Sequence, residues 1–246
     1  EDIERMQKRF PHLDKKRAIL LAMLEHLDNG VGVVVKKLKV EGVWDNTLLF
    51  FLTDNGGSKA MLANNGRLRA FKGSLYEGGI RTPWIVSWPS KFKGGRTLDQ
   101  PVISLDILPT VVEATGTGHL VSRQFDGKSL LPLLTGKTTE HHPILFWNSG
   151  EEKAEWAVRE GKWKAHSLRG KLELFYLAND PSEKTNLASK RPDLAKRLVK
   201  RHANWQMEMR RSVTEHGLAK PSARETKREQ KRAERKKARQ RIKQPK

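Results

Sequence analysis

A short strand with a polar end constrains this chain most. Residues 47–53 (TLLFFLT) are almost wholly apolar and stop abruptly at Asp54-Asn55-Gly56-Gly57. Such a run, closed by turn residues, predicts a strand buried on both faces, as in the parallel sheet of an α/β fold. Ligands in such sheets gather beyond the carboxyl ends of the strands. Asp54 and Asn55 stand there, and they offer the oxygen donors that Ca²⁺ or Mg²⁺ takes. Two donors do not fill a six-oxygen shell. An Asn-Gly turn capping the strand is the competing explanation.

The flanking sequence supports the same fold class. Residues 15–39 predict a long amphipathic helix, with Leu20, Leu24, Leu27, Val31, Val34 and Leu38 on one face and Gly42 as its stop. A second strand is expected over 83–88 (PWIVSW), after a glycine-rich polar loop at 56–79. That loop carries Lys72 in KGSLYEGGIR, where glycines permit close backbone approach and the lysine charge can hold an oxyanion. Read alone, Lys72 is first of all a solvated loop residue. Residues 104–115 predict a short helix capped by Ser104 and stopped at Gly116. Four short segments between 143 and 177 predict a small antiparallel sheet, and 191–213 a helix with Leu194 and Leu198 on one side. Trp147, Trp156, Trp163 and Trp205 are assigned to the packing of that sheet and helix.

Charge and composition narrow the function classes. The chain has no cysteine, which excludes disulfide scaffolds, thiolate metal sites and thiol nucleophiles. Its uninterrupted apolar runs fall short of a membrane span, and its charged N-terminus has no signal region; without an initiator Met it reads as processed or truncated. Of a net charge of +20, half lies in residues 219–246, which hold 13 Lys+Arg against 3 Asp+Glu and no aromatic. That distribution makes the charge a tail property, able to contact polyanions or simply to be solvated. Adjacent histidines in a strand point to opposite faces, so His141-His142 are expected in an exposed turn. His119 and His166 have no acidic partner at recognisable spacing.

The segments TLLFFLTDNGG, LRAFKGSLYEGGIRTPWIVSWP and SLDILPT, followed by KWKAHSLRGKLELFYLANDPSEKTNLA, resemble the type I sulfatases of the alkaline-phosphatase superfamily. The resemblance runs over about residues 15–210 and matches the C-terminal half of that family. It implies an alkaline-phosphatase-like sheet flanked by helices, incomplete at its N-terminal side, with a small antiparallel C-terminal sheet and helix. It implies that Asp54 and Asn55 are the second pair of metal ligands, usually for Ca²⁺, with Mg²⁺ an alternative. It also implies that Lys72 contacts the sulfate group. Glu77, Gly78, Gly79 and Arg81 match as loop architecture, whereas Ala70 departs from the LRG common there. The implied partners are a sulfated small molecule or polysaccharide and the missing N-terminal half. Export or a lysosome-like location is implied as well. Residues 1–138 are assigned to the core, 139–217 to a C-terminal subdomain and 218–246 to a basic tail.

One family feature has no counterpart. The formylglycine nucleophile arises from Cys or Ser in a C/S-x-P-x-R motif, and neither fits here; the echo at Lys220-Pro221-Ser222-Ala223-Arg224 has Ala219 in the nucleophile position. Formylglycine is therefore expected in the missing half, and this chain alone is expected to be inactive. Two alternatives stand beside the enzyme fragment. One is a degenerate, non-catalytic protein that binds polyanions through its tail; the other is a related phosphodiesterase or phosphonate hydrolase.

Overall fold

The structure, a computed structural model, describes residues 2–150 and 154–215. The basic tail expected at 218–246 lies outside them. The fold is mixed α/β, with two antiparallel sheets and flanking helices.

Helix α1 (Asp2–Arg9) packs on α2 (Lys15–Val40), whose first turn is capped by the Asp14 carboxylate accepting the Lys16 N–H at 2.7 Å. The chain leaves α2 through Gly42 at φ 68°, a left-handed conformation that glycine adopts without strain. The length agrees with the sequence pattern, but the expected buried stripe does not. Only Ala18 and Ala22 of α2 are buried, against Met6 with Ile3, Phe10 and Leu21 around them. Leu24 and Leu27 remain 49% and 50% exposed. The eight-residue α1 spans only the first turns of the 26-residue α2, so the rest of the stripe is left open. By length and composition α2 would suffice to cross a membrane, where uninterrupted apolar runs indicated no span. Glu25 and Asp28 sit in its middle, and ionised groups there are costly in lipid.

Strand β1 (Leu49–Leu52) pairs antiparallel with β2 (Trp84–Ser87), Leu49 opposite Ser87 and Leu52 opposite Trp84. This corrects the expectation of a parallel, doubly buried strand, since every residue of β1 is only half-buried. A parallel pair needs a long crossover, usually a helix. The connection from 53 to 83 holds only single turns, including α3 (Glu77–Ile80), so the chain returns antiparallel. Beyond β2, a 3₁₀ turn over Ser104–Asp106 leads into α4 (Ile107–Thr115), which ends at Gly116 with φ 68°. Ser104 does not cap through its side chain; the Asp106 carboxylate instead accepts the Ile103 N–H at 2.9 Å. A single turn, α5 (Leu131–Leu134), follows.

The second sheet runs β3 (Ile144–Asn148), β4 (Glu155–Glu160), β5 (Trp163–Leu168) and β6 (Lys171–Tyr176), each antiparallel to the next, as expected. Its register places Ala157 opposite His166, Lys164 opposite Phe175 and His166 opposite Glu173. Alternation then sorts the side chains. Val158, Ala165 and Leu174 bury one face against Leu194, Ala195 and Leu198 of α6 (Pro192–Glu215), with Trp156 and Trp163 packed beside them. The other face carries Glu155, Lys164, His166 and Glu173, and all four are buried. The molecule divides inside α6, after Val199, and the described part of the second unit is the remainder of that helix.

Candidate active site

The polar end of β1 and the glycine-rich loop are zipped together through their backbones. The Gly56 N–H donates to the Gly79 carbonyl at 2.9 Å, and the Lys72 N–H donates to the Gly57 carbonyl at 3.0 Å. Asn65 bridges the two, its Oδ1 accepting the Gly57 N–H and its Nδ2 donating to the Ala70 and Gly78 carbonyls, all at 2.9 Å. The contact requires residues without Cβ atoms. A Cβ on Gly56 would lie 1.8 Å from the Gly78 carbonyl oxygen, and one on Gly79 would lie 2.0 Å from that of Ser74.

This zipper brings the backbone of Lys72 beside the strand-end pair. Asp54 and Lys72 are exposed, while Asn55 is half-buried and donates through Nδ2 to the Gly56 carbonyl at 3.0 Å. The amide oxygen of Asn55 and the carboxylate of Asp54 are the donors available to a divalent cation. They fit part of a hard-cation shell and do not complete one.

Ala70, at the start of the loop, is held at φ 65°. Left-handed backbone costs a Cβ-bearing residue roughly 1–2 kcal/mol. Ala70→Gly is therefore expected to raise stability by about 0.5–1 kcal/mol, the gain being trimmed by the greater freedom of glycine in the unfolded chain. A shift in urea midpoint at unchanged slope is the measurement.

Behind the loop lies a buried polar layer that the sequence reading missed. Glu155 Oε1 accepts from the Leu75 N–H at 2.8 Å and the Ser74 hydroxyl at 3.1 Å, and it meets His166 Nε2 at 2.9 Å. The Tyr76 hydroxyl donates to Glu173, and the Arg69 guanidinium lies 3.8 Å over the Tyr76 ring while donating to the Glu183 carbonyl at 2.8 Å. Lys164 Nζ lies 2.9 Å from both Glu77 Oε1 and Glu183 Oε1. Glu183 Oε2 accepts the Glu77 N–H at 2.6 Å.

The electrostatics follow from burial and partners. Burial favours the neutral form of Glu155, but hydrogen bonds from His166 and the Leu75 N–H outweigh it and hold its pKa low. Glu173 is likewise held low, with Tyr76 the leading donor against burial. Burial raises the pKa of Glu183 despite Lys164, and burial also raises that of the Tyr76 hydroxyl. The acidic partners of His166 escape sequence spacing because they arrive by strand register. Polar or charged residues on one face of each strand, Glu155 and Arg159 in β4, Lys164 and His166 in β5, Lys171 and Glu173 in β6, were the available signal.

His141 and His142 correct a second expectation. Their side chains are only 4% and 6% exposed, and both Nε2 atoms reach Asp106, at 3.1 Å from His141 and 2.8 Å from His142. They precede β3, so strand alternation does not separate them. Among the described residues, these three form the one group of at least three His or carboxylate ligands close enough to share an ion. The Asp106 oxygens also accept the Ile103 N–H at 2.9 Å and the Lys128 N–H at 2.8 Å. Burial opposes ionisation of Asp106, yet the His142 and backbone hydrogen bonds keep its pKa low; burial lowers that of His141. The arrangement is a closed hydrogen-bonded knot joining three loops.

Comparison with known proteins identifies the family. A family model described as "Sulfatase" matches residues 4–117, and one described as "N-sulphoglucosamine sulphohydrolase, C-terminal" matches residues 69–210. Arylsulfatase A of Bos taurus is 38% identical over 151 residues, covering 58% of this chain and 29% of that protein. Steryl-sulfatase of Mus musculus is 33% identical over 153 residues, covering 58% of this chain and 24% of that protein. The crystal structure of Ps i-CgsB with k-i-k-neocarrahexaose superposes with a TM-score of 0.74 at 30% identity, covering 82% of this chain and 46% of that one. The chain thus spans less than a third of these curated relatives and less than half of the solved structure. On the match of the second family model to more than half of its residues, and on these relatives, the chain belongs to the sulfatase family.

Proposed function

We propose that the chain is part of an enzyme that hydrolyses sulfate esters, and that Asp54, Asn55 and Lys72 are its share of the active site. The observation that supports this reading is the 3.0 Å hydrogen bond from the Lys72 N–H to the Gly57 carbonyl, which joins the backbone of Lys72 to that of the segment carrying Asp54 and Asn55. Asp54 and Asn55 would hold a divalent cation, with Ca²⁺ favoured over Mg²⁺ by the family resemblance. When bound, the cation withdraws charge from the sulfuryl oxygens. The Lys72 ammonium opposes the negative charge that grows on those oxygens as the ester bond breaks. These residues hold and polarise a sulfate group; the attacking nucleophile, formylglycine by resemblance, has no source in these 246 residues.

The substrate class proposed is a sulfated small molecule or saccharide, in keeping with the relatives named above. Residues 1–138 are read as core, with the sheet and helix of 139–217 buttressing it. An exported or lysosome-like location rests on the family resemblance alone. The competing reading is a non-catalytic protein that holds polyanions, and the 13 Lys+Arg of residues 219–246 favour it. Heparin retention lost on deleting that tail would support it.

The purified chain is expected to show no turnover of 4-nitrophenyl sulfate. It is expected to bind Ca²⁺ weakly by calorimetry, and Asp54→Ala should abolish that binding without altering the circular dichroism. Robust turnover would sink the assignment of a partial site. Ca²⁺ binding untouched by Asp54→Ala would remove Asp54 from it.

A further inference from the structure

The loop that carries Lys72 has a small apolar anchor, in which Tyr76 and Ala70 pack with Phe175 and Leu177 of the second sheet and its exit. Its zipper to Gly56 and Gly57 is made of backbone hydrogen bonds, and Lys72 itself is exposed. The apolar cluster takes in Ala70 and Tyr76 of the loop, and the turn at residues 77–81 is held by polar contacts as well. Three segments far apart in sequence meet beneath it: Glu77 of the loop, Lys164 of β5 and Glu183 of the turn after β6. Lys164 and Glu183 are wholly buried and Glu77 is 2% exposed.

We infer that Lys164 is a positioning residue for Lys72: its ammonium, gripped by Glu77 and Glu183, clamps the loop onto the four-stranded sheet and thereby fixes Lys72 beside Asp54 and Asn55. The inference rests on the reading of Lys72 as a sulfate contact.

Four observations support the clamp. The Lys164 ammonium is 2.9 Å from each carboxylate, so one cation bridges the loop and the 183 turn. Glu183 Oε2 closes the ring by accepting the Glu77 N–H at 2.6 Å, at the first residue of α3. Glu183 is held at φ 53°, a strained conformation for a residue with a side chain, which persists only where its surroundings fix it. The same loop is gripped again by Glu155, through the Leu75 N–H and the Ser74 hydroxyl, so the sheet touches it on both sides of Tyr76. Desolvating three charges is expensive and gives little stability in return, so such a cluster is better suited to fixing a geometry. Here that geometry carries Glu77-Gly78-Gly79 onto Gly56, five residues from Lys72.

Amide hydrogen exchange by NMR on the full chain tests the clamp without any sulfate. Lys164→Met is compared with Leu198→Ala, which weakens the opposite, apolar face of the same sheet. Measured relative to the β3–β6 amides of the same sample, exchange of the Lys72 and Gly56 amides should quicken at least about tenfold in Lys164→Met and stay unchanged in Leu198→Ala. Glu77→Gln, which keeps shape and removes one charge, should show the same pattern if Lys164→Met does not fold. Equal relative exchange in the lysine or Glu77 variant and the apolar control would overturn the clamp. In parallel, inorganic sulfate is titrated into the wild type and Lys72→Ala. Shifts of residues 54–57 that survive Lys72→Ala would refute the sulfate contact while leaving the exchange result to decide the clamp.

Discussion

Lys164→Met is expected to cost about 3–5 kcal/mol of unfolding free energy, the usual penalty for removing one partner of a buried ion cluster. The variant leaves the carboxylates of Glu77 and Glu183 in the protein interior with no ammonium between them. Glu183 already has its pKa raised by burial, and without Lys164 it would have to take up a proton or draw in water. Glu77 would keep the Arg81 guanidinium, 3.9 Å from its Oε2, and the charge of Arg159. The triple variant Lys164→Met, Glu77→Gln, Glu183→Gln separates charge from packing. With no ion left to strand, it should recover most of the lost stability, because the penalty belongs to the unpaired carboxylates and not to the lost attraction. Chemical denaturation of the wild type, the three single variants and the triple variant gives the comparison. Losses that simply add up in the triple variant would show three independent contacts and no cluster.

How much of this was legible beforehand depends on whether a feature is local in sequence. Helix α2, strand β2 and the β3–β6 sheet follow from patterns within single segments, and the structure returns them nearly residue for residue. The pairing of Asp54–Asn55 with the Lys72 loop came from the family resemblance, and the glycines in both segments are what permits it. What was not readable is contact made through register. His166 meets Glu155 and Glu173 because strands β4, β5 and β6 align them, and no spacing rule anticipates a partner 11 residues away across a hairpin. Lys164 meets Glu77 across 87 residues, which only the folded chain can show. The apolar stripe of α2 was legible as a stripe, but whether anything covers it was not. The parallel sheet was misjudged for a related reason: an apolar run says how much a strand can bury, and the connection to its neighbour decides its direction.

Gly56→Ala is expected to destabilise by roughly 3 kcal/mol, at the upper end of what an added methyl costs in a packed region, because the atom it would strike is backbone and cannot rotate away. The new Cβ would fall 1.8 Å from the Gly78 carbonyl oxygen and 3.1 Å from the Gly79 Cα. Relief requires the two loops to part, which breaks the Gly56 N–H bond to Gly79 and takes the Asn65 bridge with it. Backbone conformation is not the issue, since Gly56 is not among the residues with positive φ. The control is Gly32→Ala in α2, where nothing lies within 4 Å of the added atom. In a helix interior that same change should stabilise by up to about 1 kcal/mol, so one substitution type carries opposite signs at two sites. Loss of Ca²⁺ binding in Gly56→Ala, retained in Gly32→Ala, would tie the zipper to the strand-end donors. If Gly56→Ala proves as benign as Gly32→Ala, the two loops do not approach this closely, and Lys72 has no fixed place beside Asp54.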